Sequence, residues 1–482
     1  MLDVKKPTDE QVEIISAATG SDKNLMLNAL AGCGKTSTLE MIEQAVKARP
    51  ILYLVFNKKN AEEAEDRLLS TTTVRTFNSL GHRIWSKACA KNQLSLNSKK
   101  TADILRELIR SAPKPTQSAI WNVFWDVVNG VARAKALGYV PEGKYPTAKR
   151  LLGQGAFHAS LEEEPDDLVA DLIEAVLSTS IKQAYEGTID YNDQIYMPAL
   201  FGGTCPQFPL TLVDEYQDLN PVNHALLAKL GRKRLIGVGD PNQSIYAFRG
   251  AKAQGMGEAV STYSMEELDL SVSFRCPSAI VSHVLWHVPN FKYIKEGGNV
   301  SIPNHLCPSD IPDSGVIISR NNAPLFGVAL RLLSAGRSVS VAGSDIGPKL
   351  IALMKKLGSE EMTKAQTLSA IADWEQEKLD KESTTARDMA ACMRVFAEHG
   401  SSLAQSIAYA EHVLAQKGRI RMMTGHKAKG LEFDHVIHLD PWLVRTGFHG
   451  SPPTDQDKNL DYVISTRSKD QLIEISSKDI RW

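Results

Sequence analysis

The sequence is poor in cysteine. Six are spread over 482 residues, Cys33, Cys89, Cys205, Cys276, Cys307 and Cys392, and no two stand at CxxC spacing. That spacing argues against a zinc ribbon or a paired redox centre, and so few thiols in so long a chain argue against a disulfide framework. An excess of either charge is also missing. Fifty-five Lys and Arg oppose fifty-six Asp and Glu, leaving a net charge of −1 and a pI of about 6.9. This excludes a polycation that holds nucleic acid by bulk charge, while a local basic groove stays compatible with a neutral total. No apolar run reaches the ~18 residues of a membrane span, and the opening residues carry no apolar signal region. There is no internal repeat and no long low-complexity tract.

What is present is a globular balance, 43% hydrophobic and 23% charged. At roughly 150 residues per domain the length predicts about three domains. Short apolar runs punctuate the chain at Leu25–Leu30, Ile51–Phe56, Leu210–Val213 and Leu235–Val238. They recur at Val316–Ser319, Val339–Ala342, Ile420–Thr424, His435–Leu439 and Leu472–Ile475. Buried strands alternating with helical patterns predict an α/β fold with two parallel sheets covered by helices. Two stretches break the alternation and read as helical insertions. One runs from about 90 to 205, with Thr101–Ser111 and Asp166–Ala184 its clearest helices. The other runs from about 359 to 416, with Ala365–Lys381 and Ala386–Glu398. Pro- and Gly-rich Gly138–Pro146 and Pro303–Gly315 read as surface connections.

The strongest chemical signal is Ala29-Leu30-Ala31-Gly32-Cys33-Gly34-Lys35-Thr36-Ser37, which follows a strand and opens a helix. Small residues allow backbone N–H groups to face phosphates, and the helix N-terminus adds favourable partial charge. Lys35 would reach the β and γ phosphates and Thr36 would ligate Mg²⁺. Ala29 stands where the strict pattern has Gly. A second signal is the apolar strand that delivers Asp214-Glu215-Tyr216-Gln217-Asp218 at its carboxyl end, where open α/β sheets bind ligands. Asp214 can hold Mg²⁺ and Glu215 can orient and deprotonate a water.

These two motifs resemble those of the UvrD/Rep branch of superfamily 1 helicases. Further matches follow in that family's order: Gly237 to Ala251, which contains Asp240-Pro241-Asn242-Gln243, then Ser273-Phe274-Arg275, then Thr424 to Phe433, then Tyr462 to Arg467. The resemblance implies two RecA-like P-loop motor domains that hydrolyse ATP with Mg²⁺. It also implies the remaining roles. Gln243 would sense the γ-phosphate, and Arg275 and Arg467 would be arginine fingers. Phe274 would stack on adenine where the family more often has Tyr, Glu432 would bind ribose, and Gln11 would read adenine. Thr8-Asp9-Glu10-Gln11 is equally a capping-box pattern, which needs no nucleotide.

A motor on a single strand needs aromatic faces for bases and polar groups for phosphates. By resemblance Phe56, Tyr246 and Phe248 would form base pockets, with Asn57 and Arg249 beside them. Thr76, Asn78, Thr424 and His426 would touch the strand. Phe248 stands where the family has Trp, and Asn78 where it commonly has His. Arg75, Arg83, Lys58 and Lys59 could add phosphate contacts, although solvated charge is the simpler reading of each.

The expected domains are a first motor domain at 1–89 and 206–264, a helical insertion at 90–205, a second motor domain at 265–358 and 417–482, and a short helical insertion at 359–416. The last is smaller than the mobile domain, called 2B, that larger relatives carry there. The expected activity is ATP-driven movement on single-stranded DNA with duplex unwinding, 3′ to 5′ by family resemblance. The alternative is a translocase or remodelling ATPase that works with a nuclease or a replication or recombination protein and does not unwind alone. The expected partners are single-stranded DNA and single-strand/duplex junctions. The expected location is the cytoplasm of a bacterial or phage-infected bacterial cell.

Overall fold

A computed structural model describes residues 6–89, 94–161, 164–246, 250, 255–342, 347–379, 386–446 and 452–481. The chain divides into two compact units, one of Met1–Ala29 and Gly34–Leu270, the other of Leu30–Cys33 and Ser271–Trp482. No helix among the described residues is long and apolar enough to cross a membrane.

The first unit is built on six parallel strands: β1 Leu25–Ala29, β2 Ile51–Val55, β3 Thr72–Thr76, β4 Gln207–Val213, β5 Gly231–Gly239 and β6 Glu266–Leu270. Their order is β3-β2-β4-β5-β1-β6. All five residues of β2 are buried, as helices on both faces of a parallel sheet require. The edges differ. β3 is partly buried except for Val74, β6 alternates partly buried and exposed positions, and they carry Thr, Arg, Glu and Asp, so neither forms an apolar run. Between β3 and β4 the chain adds helices that include Lys100–Ser111, Phe124–Leu137, Asp167–Tyr185 and Asp193–Leu200. They close on the sheet through one core in which Met26, Leu52 and Leu54 join Ile104, Val131, Ile173 and Val176. That core encloses four charges. Lys100 Nζ reaches Asp193 Oδ2 at 2.7 Å, and Lys135 Nζ reaches Asp190 and Asp193, each at 2.6 Å. Two cations against two anions leave no net buried charge, the condition under which such burial is tolerable.

The second unit repeats the plan with β7 Asn299–Ser301, β8 Val316–Ser319, β9 Val339–Val341, β10 Ile420–Thr424, β11 Phe433–Leu439 and β12 Ser468–Ile475. The order is β7-β12-β11-β8-β10-β9, again parallel throughout. Between β9 and β10 come helices Lys364–Leu379, Ala386–His399 and Leu403–Ala415. These have no separate core. Ile371, Phe396, Leu403 and Ile407 pack in the same cluster as Ile317, Val339, Met422 and Ile437 of the sheet. The Phe326 and Phe396 rings lie 5.2 Å apart at its centre.

Candidate nucleotide site and DNA-facing residues

In the first unit the site grows from strand ends. The loop after β1 places Gly32 at φ +72° and Gly34 at φ +78°, a backbone that a residue with a Cβ rarely adopts. Ala31 and Cys33 are buried in this loop, and the helix Lys35–Ala45 starts directly after Gly34. Lys35 Nζ stands 3.6 Å from Glu215 Oε2. Thr36 Oγ1 donates to Asp214 Oδ2 at 2.8 Å, and the buried Tyr53 hydroxyl lies 3.5 Å from the same oxygen. Ser37 is exposed one position further along the helix.

Asp214 is fully enclosed at the end of β4. Burial, reinforced by the neighbouring Glu215 charge, pushes its carboxyl up to about 6 despite the Thr36 hydrogen bond and Lys35. A hydroxyl and a buried carboxylate sharing one hydrogen bond are hard oxygen donors, and they fit Mg²⁺. Glu215 takes a left-handed backbone at φ +53°. Strain of this kind gathers at functional turns. It turns the chain so that the Glu215 N–H donates to Asp214 Oδ1 at 2.8 Å.

From Glu215 a run of hydrogen bonds continues. Gln217 Nε2 donates to Glu215 Oε2 at 2.6 Å, and Gln217 Oε1 accepts from the Asp240 N–H at 3.0 Å. Asp240 Oδ2 then accepts from Gln243 Nε2 at 2.7 Å. Gly239 makes room for this link, since a Cβ there would stand 2.5 Å from Gln217 Oε1. Lys35, Glu215 and Gln243, expected from sequence, are thereby brought together. Gln217 and Asp240 are the two members that sequence reasoning missed. Both lay inside quoted motifs, so the signal was present but unassigned.

Gln11 forms the capping box that its sequence context allows. Its Oε1 accepts from the Thr8 N–H at 3.0 Å, completing a capping box, and its Nε2 donates to Thr38 Oγ1 at 3.0 Å. Both ends of the amide are engaged within the first unit.

The second unit carries the arginines. Arg275 Nε donates to Glu432 Oε1 at 2.7 Å, and its Nη2 contacts the same oxygen. Glu432, expected at ribose, is therefore paired with a candidate finger. Arg467 is 1% exposed, with Nε donating to Val463 O at 2.9 Å and Nη1 to Leu431 O at 3.3 Å. Burial, with the Arg275 charge adding to it, pulls its guanidinium down to about 10. Phe274 is half-buried beside Arg275.

Three of the residues expected at DNA also serve local structure. Asn57 Oδ1 accepts from the Asn60 N–H at 2.8 Å as the N-cap of helix Lys58–Glu65. Thr76 and Ser79 form the capping box of helix Phe77–Ala88. Asn78 Nδ2 donates to Tyr191 O at 2.8 Å and Gln194 Oε1 at 2.9 Å. Phe56 and Tyr246 are half-buried, Thr424 is 8% exposed and His426 is half-buried. Phe248 and Arg249 lie outside the described residues. Lys58 and Lys59 make i,i+4 pairs with Glu62 and Glu63, and Arg75 pairs with Glu65, which is the solvated-charge arrangement.

Residues 8–264 match the UvrD/REP helicase N-terminal domain, and residues 332–479 match the UvrD-like helicase C-terminal domain. The chain is 24% identical to F-box DNA helicase protein 1 of Schizosaccharomyces pombe over 97% of its own length and 57% of that protein. It is 25% identical to F-box DNA helicase 1 of Gallus gallus over 97% of its length and 49% of that protein. It is 27% identical to DNA helicase IV of Escherichia coli over 55% of its length and 45% of that protein. The chain thus spans about half the length of the curated relatives it matches. With both family domains matched in order along two parallel-sheet units, this chain belongs to the UvrD/Rep helicase family, with RecA-like P-loop motor domains.

Proposed function

We propose that this chain is an ATP-driven motor that moves on single-stranded DNA and unwinds duplex, 3′ to 5′, in the cytoplasm of a bacterial or phage-infected bacterial cell. The observation that carries the hydrolytic half is the ion pair of Lys35 with Glu215 and the hydrogen-bonded run from Glu215 through Gln217 and Asp240 to Gln243. It joins a phosphate-binding cation, a base and a γ-phosphate sensor, and these groups together suit phosphoryl transfer to water.

In this reading Lys35 offsets phosphate charge, and Thr36 and Asp214 hold Mg²⁺. The bound ion neutralises charge on the β and γ phosphates. Glu215 orients the attacking water and takes its proton. Gln217 fixes Glu215, and Asp240 fixes Gln243. Arg275 and Arg467 act as fingers on the transferring phosphoryl group, so Arg275 leaves Glu432 when ATP draws the two units together. Cycles of closing and opening then move the strand past the base-binding aromatics.

A second reading is a translocase that needs a nuclease, replication or recombination partner to separate strands. It is favoured by the helices between Lys364 and Ala415, which share the sheet's core and leave little for a mobile 2B domain. The test is unwinding of 3′-tailed and 5′-tailed duplexes by the purified chain, with Lys35→Ala as control. The motor reading predicts unwinding of the 3′-tailed substrate that Lys35→Ala abolishes. Strand-stimulated ATP hydrolysis without unwinding selects the second reading. No ATP hydrolysis on any strand sinks both.

A further inference from the structure

The second unit contains a charged cluster that none of the roles above uses. His438 on β11, Asp461 on the helix Asp455–Ser465 and Glu474 on β12 are all buried, and each offers an atom within 4.8 Å of the others. Such a trio is a possible transition-metal donor set. Arg445, at the end of the helix Trp442–Arg445, already occupies the cation's place. Its Nε donates to Asp461 Oδ2 at 2.7 Å and its Nη2 to Asp461 Oδ1 at 3.1 Å. Its Nη1 donates to Glu474 Oε2 at 2.7 Å, and its Nη2 also contacts Glu474 Oε1. A metal would have to displace a guanidinium forked onto two carboxylates, the geometry in which arginine pairs best.

His283, on the helix Ser278–Val284, completes the grip, with Nε2 at 2.8 Å from Glu474 Oε1. Burial pushes the Glu474 carboxyl upward, but the hydrogen bonds from His283 and Arg445 overcome it and hold it at about 2. Burial pulls the His438 imidazole down against the pull of Asp461 and Glu474, and neither ring nitrogen has a hydrogen-bond partner among the described residues. The strength of the cluster therefore lies in Arg445 and the two carboxylates.

The elements it ties together are informative. The helix Ser278–Val284 begins three residues after Arg275. The helix Asp455–Ser465 ends two residues before Arg467, and β12 begins immediately after it. Every element gripped through Arg445 thus runs into one of the two candidate fingers. We propose that Arg445 is a positioning residue for phosphoryl transfer, a clamp that fixes the supports of Arg275 and Arg467 through Asp461, Glu474 and His283. This rests on the motor reading above. Arg445 lies in none of the quoted motifs and is 34% exposed on one side. It acts through the arginines and does not itself meet the nucleotide.

The test uses the full chain, oligothymidine as the activating strand and two nucleotide probes, a fluorescent ATP analogue and ADP with aluminium fluoride. Arg445→Lys keeps the charge and loses the double fork. It is expected to lower kcat tenfold or more, to weaken the aluminium fluoride complex in parallel, and to leave the affinity for the ATP analogue within twofold. In an Arg275→Ala/Arg467→Ala background the same substitution is expected to change kcat less than twofold, because both groups it positions are gone. Asp461→Asn, which preserves shape and removes one side of the grip, is expected to repeat the signature with a threefold or greater loss. Rates within twofold of wild type in both single variants overturn the clamp. So does a full tenfold loss in the Arg275→Ala/Arg467→Ala background, which marks a fold-wide effect. A wild-type protein that fails to hydrolyse ATP on oligothymidine would instead strike at the motor reading itself.

Discussion

The candidate hydrolytic residues of the first unit and the arginines of the second are held in opposite ways. In the first unit Lys35, Glu215, Gln217, Asp240 and Gln243 already face one another, each held by its neighbour through an ion pair or a hydrogen bond. In the second unit Arg275 is paired with Glu432, and Arg467 is turned onto the carbonyls of Val463 and Leu431. One half is preorganised, and the other has its charges satisfied internally. Preorganised donors cost little reorganisation at the moment of reaction. Charges with internal partners must exchange those partners before they can act elsewhere.

The comparison can be broken most forcefully at Arg467. Arg467→Ala is expected to reduce strand-stimulated turnover by about 10³-fold or more, as loss of an arginine finger does, with ATP-analogue affinity retained. A wild-type rate in a steady-state ATPase assay would leave Arg467 as a packing residue only. In the first unit, Gln217→Ala removes the link between the base and the sensor. We expect a loss of roughly 10–100-fold in kcat, about what mispositioning of a general base costs, with little change in KM. An unchanged kcat would show that Glu215 and Gln243 act independently.

A sharper probe of the internal pairing is Glu432→Gln. If Glu432 restrains Arg275, this variant is expected to raise ATP hydrolysis in the absence of DNA several-fold. If Glu432 instead serves ribose, KM for ATP rises and the strand-free rate does not. The smallest effect is expected at Asn78. Its amide bonds two acceptors within the first unit, so Asn78→Ala is expected to cost about 1 kcal/mol in urea unfolding, the ordinary scale for such a hydrogen bond. A large loss of oligothymidine affinity with unchanged stability would restore its role at the strand.

The sequence pattern exposed the inner strands and hid three of the four outer ones, Val339–Val341 being the legible edge, for a physical reason. β2, β4, β8 and β11 are covered on both faces and read as apolar runs. β3, β6 and β7 lie at sheet edges, where Thr72, Glu266 and Asn299 meet solvent and the run dissolves. The candidate nucleotide residues were legible because strand-to-helix turns confine them to short contiguous motifs. The Arg275–Glu432 pair joins residues 157 apart in sequence, and the Arg445 grip reaches from His283 to Glu474, so neither has a local signature. Asn57 and Thr76 carry a local role that the sequence reading did not assign: each begins a helix and satisfies a backbone N–H there.

The helices between β9 and β10 carry a consequence for how this molecule can be pared down. In a protein whose accessory region is a separate body, that region can be cut away and leave a lighter engine. Here Ile371, Phe396, Leu403 and Ile407 are part of the wall against which Ile317 and Met422 are packed. Excising Lys364–Ala415 would strip one side from the sheet that supports both arginines and leave a hydrophobic wound in water. The segment is a keel, and its removal would take down the half of the molecule that it ballasts.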